Sequence, residues 1–245
     1  MSGNPLRGAL YFIRGAKLLT QPGLRKFVLV PLVINVVLFV TAIVFGVEYF
    51  QIFLDWLIAK TPDWLDWLVS ALWLVFVLGA LLVVFYTFTL VANFISAPFN
   101  GFLSAAVEAH VKGQAPQESS GSVWKEAVAS LGQEGRKLWY LASRAFPLLI
   151  LFLIPGINLA APFVWLAFGA WLLALEYADF PMGNHNIRWV GVREKLKQRR
   201  LTAVGFGGMV LLATAIPVVN FIVVPAAVIG ATLMWVEELS TSIAE

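Results

Sequence analysis

The sequence predicts an all-α integral membrane protein. Its parts are two full transmembrane helices, two re-entrant helical hairpins that penetrate only part of the bilayer, and amphipathic interfacial and cytoplasmic helices. Three observations carry this reading. Of 245 residues, 60% are hydrophobic and 13% charged, whereas a soluble domain carries about 25% charged residues. Residues 27–47 and 67–92 are free of charge over 21 and 26 positions, and about 20 suffice to cross a hydrocarbon core. Two further apolar runs, 145–175 and 205–236, are each interrupted by a Pro-x-x-Asn corner.

The elements follow in chain order within a single membrane domain, 1–245. Residues 1–26 hold Arg7, Arg14, Lys17, Arg25 and Lys26 and no acid, so the net charge of +3 understates a strongly basic arm. Leu6, Leu10 and Ile13 share one helical face of that arm, which suits a helix lying in the membrane interface. An ordinary solvated helix is the alternative. The apolar stretch that begins at Phe27 lacks a small-residue cleavage pattern at its end, so no cleaved signal peptide is expected.

Between the spans 27–47 and 67–92, Glu48, Asp55, Asp63 and Asp66 oppose only Lys60. The basic arm on one side and the acidic loop on the other place the N-terminus in the cytoplasm. Trp56, Trp64 and Trp67 stand in that loop, where tryptophan anchors at the lipid–water boundary. Residues 93–144 read as a cytoplasmic helical region with a turn-rich loop at Gly113 to Ser122.

The runs 145–175 and 205–236 contain 31 and 32 residues, too many for one crossing at about 20 residues and too few for two. Proline lacks the amide hydrogen and clashes with the preceding turn. Ile154-Pro155-Gly156-Ile157-Asn158 and Ile216-Pro217-Val218-Val219-Asn220 should therefore be corners between helical arms, followed by Pro162 and Pro225. Basic residues flank the first run on both sides: Arg136, Lys137 and Arg144 before it, and Arg188, Arg193, Lys195, Lys197, Arg199 and Arg200 after it. This predicts a return to the same side. The second run ends at Glu237 and Glu238, and a kinked single span is its alternative. Paired interrupted segments of this kind point to a solute path, because irregular backbone at membrane depth is tolerated only where protein or water satisfies it.

The candidate site is Gly23, Leu24, Arg25 and Lys26. Pro22 suits the first turn of a helix, Thr20 offers a cap, and Gly23 admits a ligand close to the backbone. Amides of Gly23, Leu24 and Arg25 would converge there with a guanidinium and an ammonium, a setting that binds oxyanions. In the alternative, Arg25 and Lys26 only orient the span and touch anionic lipid. No carboxylate precedes Glu48. Donors without an acceptor favour fully ionised sulfate over protonated phosphate.

Other chemistry is constrained by composition. Cysteine is absent, which removes thiol catalysis and thiolate metal sites. No G-x-x-x-x-G-K-[ST], H-E-x-x-H or G-x-S-x-G occurs, so neither ATP hydrolysis by such a loop nor these hydrolase reactions are expected. His110 and His185 form no metal cluster and read as surface or network residues. No enzyme activity, cofactor, metal or nucleic-acid partner is expected. The four apolar segments hold no Asp, Glu, Lys, Arg or His, which favours a channel-like facilitator. A proton-coupled carrier would have to use segment ends such as Glu108, Glu176, Asp179 or Glu237. Asn35, Thr87, Thr89, Asn93, Asn158 and Asn220 are candidates to line a path, though such residues more often hydrogen-bond between helices, and Gly205, Gly207 and Gly208 suit close helix packing.

An ordered set of motifs completes the reading. It comprises Gln21-Pro22-Gly23-Leu24-Arg25-Lys26-Phe27-Val28 with Pro31 and Asn35, and Ala97-Pro98-Phe99-Asn100-Gly101. Ile154-Pro155-Gly156-Ile157, Asp179-Phe180-Pro181 to Asn184-His185, Gly230-Ala231-Thr232 and Met234-Trp235-Val236 follow. In this order, from about residue 17 to 237, the chain resembles the CysZ family of bacterial sulfate transporters. The resemblance implies a multi-pass protein of the bacterial inner membrane that admits sulfate for cysteine biosynthesis, assembled as a homo-oligomer among membrane lipid. It also implies two partly penetrating hairpins and sulfate bound at Gly23, Leu24, Arg25 and Lys26. Family members often carry a second arginine where this chain has Lys26, and lysine keeps the charge but loses the planar fork. A proton-coupled sulfate carrier and a non-transporting membrane scaffold or assembly factor are the alternatives.

Overall fold

A computed structural model describes residues 3–60, 62, 66–113 and 123–240, without the side chains of 66, 68–70, 84–97, 123–134, 218 and 221. Eight α-helices run through the described residues: α1 Pro5–Leu18, α2 Lys26–Ile58, α3 Asp66–Lys112, α4 Val123–Leu151, α5 Ala161–Gly183, α6 Trp189–Gln198, α7 Arg200–Thr214 and α8 Pro217–Met234. No strand occurs among them. Most of the expected loop from Gly113 to Ser122, together with Asp63 and Trp64, lies outside the described residues.

The chain divides into two compact units, residues 26–99 and residues 1–25 with 100–245. In the first, α2 is 33 residues long and presents an almost wholly exposed apolar surface. At about 1.5 Å per residue its length exceeds a hydrocarbon core of about 30 Å. Phe50 of α2 stacks on Phe76 of α3 with ring centroids 3.7 Å apart and meets the edge of Trp73 at 5.0 Å. Lys60 lies over the Trp56 ring at 4.3 Å, a polar end to an apolar helix. The expected span 67–92 belongs to α3, which continues past residue 92 to Lys112 without a break. Residue 93 is therefore not a helix boundary, and Pro98 is accommodated inside the helix.

The other unit is organised around α8. Among the described residues, three helices are long and apolar enough to cross a membrane: Lys26–Ile58, Ala161–Gly183 and Ile222–Leu239. The last differs from α2 in being mostly enclosed by protein. Its neighbours α1, α5 and α7 approach through small residues. A side chain at Gly8 would strike the Thr202 carbonyl of α7, one at Gly15 the Ala226 carbonyl of α8, and one at Gly207 the Ala170 carbonyl of α5. Gly205 is likewise in contact with Pro5, so Gly205 and Gly207 of α7 serve close packing, whereas Gly208 does not. On α1 the buried face is Gly8, Tyr11, Phe12 and Gly15, while Leu6 and Leu10 remain exposed.

Both Pro-x-x-Asn corners interrupt helices. The helix α4 ends at Leu151, Gly156 takes a left-handed φ of 85° that favours glycine, and a single 3-10 turn at Ile157–Leu159 leads into α5 with Pro162 in its first turn. The second corner is tighter: Ile216 is extended and Pro217 opens α8. Each pair of arms doubles back. Tyr140 of α4 accepts a 3.0 Å hydrogen bond from the Trp171 indole of α5. Thr202, near the start of α7, donates to the Glu238 carboxylate at 3.4 Å, just beyond the end of α8. A kinked helix continuing in one direction would separate Thr202 from Glu238.

Candidate functional site

Residues 21–25 form a turn between α1 and α2, and Gly23 has a φ of 97°. Nothing lies within 4 Å of the position a Gly23 Cβ would take, so glycine is required by the backbone and not by crowding. Two sequence expectations are corrected here. Thr20 does not cap α2: its hydroxyl donates to the Lys17 carbonyl at 2.8 Å, closing the end of α1. Pro22 does not sit in a first helical turn, because α2 begins at Lys26. The Leu24 amide is engaged by the Gln21 carbonyl at 3.3 Å and its side chain is buried.

Arg25 is exposed and anchored from one edge. Its Nε donates to the Thr20 carbonyl at 2.7 Å. The two terminal nitrogens make no hydrogen bond or ion pair among the described residues. That leaves a planar two-donor fork held at a fixed angle, the geometry that grips two oxygens of an oxyanion. Lys26, the first residue of α2, lies with Nζ 5.1 Å from the centroid of the Phe27 ring.

Acids distant in sequence do reach α1, but other cations take them. Arg14 grips Glu237 with two contacts, Nη1 to Oε2 at 2.9 Å and Nη2 to Oε1 at 2.6 Å. Arg7 Nε meets Glu238 Oε1 at 2.8 Å. The Tyr11 hydroxyl lies 3.2 Å from an oxygen of each carboxylate. A π turn at Trp235–Leu239 carries both glutamates to the face occupied by α1. Burial, reinforced by the Glu238 charge, pushes the Tyr11 hydroxyl well above its ordinary range, so it remains a neutral donor. The sequence reading missed this cluster, although Arg7, Tyr11 and Arg14 fall at i, i+4 and i+7 on one helical face.

A second polar cluster lies at the end of α3. Glu108 is 2% exposed. Its carboxylate receives Lys112 Nζ at 2.8 Å and has His185 Nε2 at 3.0 and 2.8 Å from its two oxygens. The His185 ring packs on Trp235 at 5.4 Å, and Ser104 and Thr232 share a buried 2.8 Å hydrogen bond between α3 and α8. His185 is thus a network residue, while His110 is exposed. Among the described residues no group of His, Asp and Glu is arranged to hold a metal ion. Asp179 is paired with Lys137 at 2.6 Å.

Among the described residues, three membrane-length apolar helices and arms that double back at proline corners describe an all-helical membrane protein. Residues 11–225 match the family described as Sulfate transporter CysZ/Etoposide-induced protein 2.4, and the chain belongs to that family. A protein named Sulfate transporter CysZ from Pseudomonas paraeruginosa is 46% identical over 237 residues, covering 95% of this chain and 96% of that protein. Proteins of the same name from Pseudomonas syringae pv. tomato and Pseudomonas fluorescens are 46% identical over 242 residues and 45% over 237, each covering at least 94% of either chain. The family resemblance drawn from the ordered motifs is borne out.

Proposed function

We propose that this protein carries sulfate across the bacterial inner membrane, as a channel or facilitator supplying cysteine biosynthesis, and that it does so as a homo-oligomer embedded in lipid. The observation that carries this reading is nearly full-length similarity to proteins named sulfate transporters. Gly23, Leu24, Arg25 and Lys26 are the proposed sulfate site. Support comes from the free fork of Arg25 and from the pairing of Glu237 and Glu238 with other residues, which leaves donors in local excess. The buried Leu24 side chain fixes the turn, and the Gly23 backbone is open to a ligand.

The two doubled-back pairs of helices are proposed to enter the bilayer from one side and return to it. From Trp171, level with Tyr140, back to Ala161, α5 rises about 15 Å at about 1.5 Å per residue. That is half of a core of about 30 Å. Charges end at Arg144 on the opposite arm, so the uncharged tip fits one leaflet.

A second reading, a proton-coupled carrier, is favoured by the enclosed Glu108 carboxylate with His185 against it. Sulfate uptake by purified protein in vesicles, with and without an imposed pH gradient, separates the readings. Uptake that follows the sulfate gradient alone supports the facilitator. Strict dependence on the pH gradient establishes the carrier, and no sulfate flux in either arm rejects transport in favour of a scaffold.

A further inference from the structure

The basic residues that flank the first hairpin do more than set its orientation. Tyr140 of α4 lies between two arginines from different helices, Arg144 of α4 and Arg193 of α6, each with its guanidinium carbon 5.5 Å from the ring centroid. Two like charges share one aromatic ring, and no carboxylate from another helix joins them among the described residues. Among the described residues Arg193 has an ion pair only with its chain neighbour Glu194, at a long 3.4 Å, and Glu194 is held closer by Lys197 at 2.8 Å. The carboxylate of Asp179 is committed to Lys137. The Nε of Arg193 is buried and has no hydrogen-bond partner. A buried donor left without an acceptor, beside a second unneutralised arginine, describes a site short of one anion.

Its surroundings identify the anion. Trp171 donates its indole hydrogen to the Tyr140 hydroxyl at 3.0 Å, and Trp189 meets the Tyr140 ring edge-on at 5.6 Å. Tyrosine and tryptophan gather at the level of lipid headgroups. On one side of this girdle α4 and α5 carry no further charge to the hairpin tip; on the other lies the basic helix α6. Basic pockets between membrane helices at this level take phosphate headgroups. We infer that Tyr140, Arg144 and Arg193 form a binding site for the phosphate of an anionic phospholipid, which fastens the base of the first hairpin to α6.

The test uses the full chain purified in non-ionic detergent, with phosphatidylglycerol or phosphatidylcholine added and retained lipid counted by native mass spectrometry. Preferential retention of phosphatidylglycerol is expected, reduced about fivefold by either Arg144→Gln or Arg193→Gln, since each basic residue near a lipid surface contributes a factor of about that size. Lys197→Gln, outside the cluster, should leave retention unchanged. Equal retention of the two lipids, or retention unaffected by both arginine substitutions, would overturn the site. Displacement of the lipid by millimolar sodium sulfate would also overturn it, assigning the cluster to a soluble oxyanion. An independent reading needs no variant: a photoactivatable phosphatidylglycerol should label the peptides holding Tyr140 and Arg193 in the unaltered protein. Labelling confined to other peptides would equally defeat the proposal.

Discussion

Arg14 and Glu237, 223 residues apart in the chain, close on each other through two parallel contacts of 2.9 and 2.6 Å. This pair fastens the basic arm to the π turn that follows α8, and it has a consequence for the segment proposed to bind sulfate. The helix α1 ends at Leu18, and the carbonyl of Thr20 just beyond it holds Nε of Arg25. The angle at which Arg25 offers its fork is therefore inherited from the docking of α1.

Arg14→Gln should loosen that docking without unfolding the protein. Arg14 is 48% exposed, and exposed pairs contribute about 1 kcal/mol at most. Loss of about that much stability is expected on thermal unfolding in detergent. Arg14→Gln and Glu237→Gln together should cost less than the two added, since both remove one interaction. Full additivity would show that the pair does not act as a unit.

Tyr11→Phe removes a donor shared by two carboxylates, one of them 7% exposed. A hydrogen bond to a charged group contributes about 1.5–3 kcal/mol, and a loss near the lower end is expected because both contacts are long. The same contact gives a pH signature. The folded Tyr11 pKa lies above the ordinary value of 10.0, first through burial and then through the Glu238 charge. The native state thus favours the protonated phenol. Its contribution is fully present below pH 10 and is lost as pH rises through the folded value. Alkaline titration of tyrosinate absorbance should lack one late-ionising group in Tyr11→Phe, and an unaltered titration would contradict the burial argument.

Gly207→Val tests the packing of α7 against α5. A Cβ at this position would meet the Ala170 carbonyl and approach Ala174 N at 3.0 Å, both backbone atoms that no rotamer change can move. Overpacking of this kind costs about 1–3 kcal/mol. The expected outcome is a lower unfolding temperature with membrane insertion preserved. Gly208→Ala, whose nearest neighbour would be the Ala170 Cβ at 3.9 Å, should be tolerated.

Much of the helical architecture is legible in composition and proline placement, because a charge-free run of membrane length has few alternatives. The breaks at Pro155 and Pro217 are legible for the same local reason, the missing amide. What sequence periodicity leaves unread is the packing face of α1. Leu6 and Leu10 mark an apolar face, yet the face that packs is Gly8, Tyr11, Phe12 and Gly15, since close approach between helices selects small residues over large ones. The site segment is partly legible. Gly23 and Arg25 stand out, but the use of the Thr20 hydroxyl by α1 depends on where that helix ends, and helix ends are weakly encoded. The partners of Arg7 and Arg14 lie more than 220 residues away, beyond any local pattern.

Arg25→Ala should weaken sulfate binding while leaving insertion and the α1 docking intact. Among the described residues the fork's terminal nitrogens have no partner, and its Nε bond to Thr20 only aims them. Each charge-assisted contact to an anion contributes about 1.5–3 kcal/mol, so loss of the fork should raise the dissociation constant by at least about tenfold. Arg25→Lys separates charge from geometry. Lysine supplies the charge but neither the planar pair of donors nor the anchoring Nε, so it should recover only part of the affinity. Lys26→Ala should have the smaller effect, as its ammonium lies by the Phe27 ring and lacks a comparable anchor. Titration calorimetry on the purified variants gives this order directly: unaltered protein tightest, then Lys26→Ala, Arg25→Lys and Arg25→Ala. Equal affinity for Arg25→Ala and the unaltered protein would remove Arg25 from the anion site and leave it the lesser task of orienting α2.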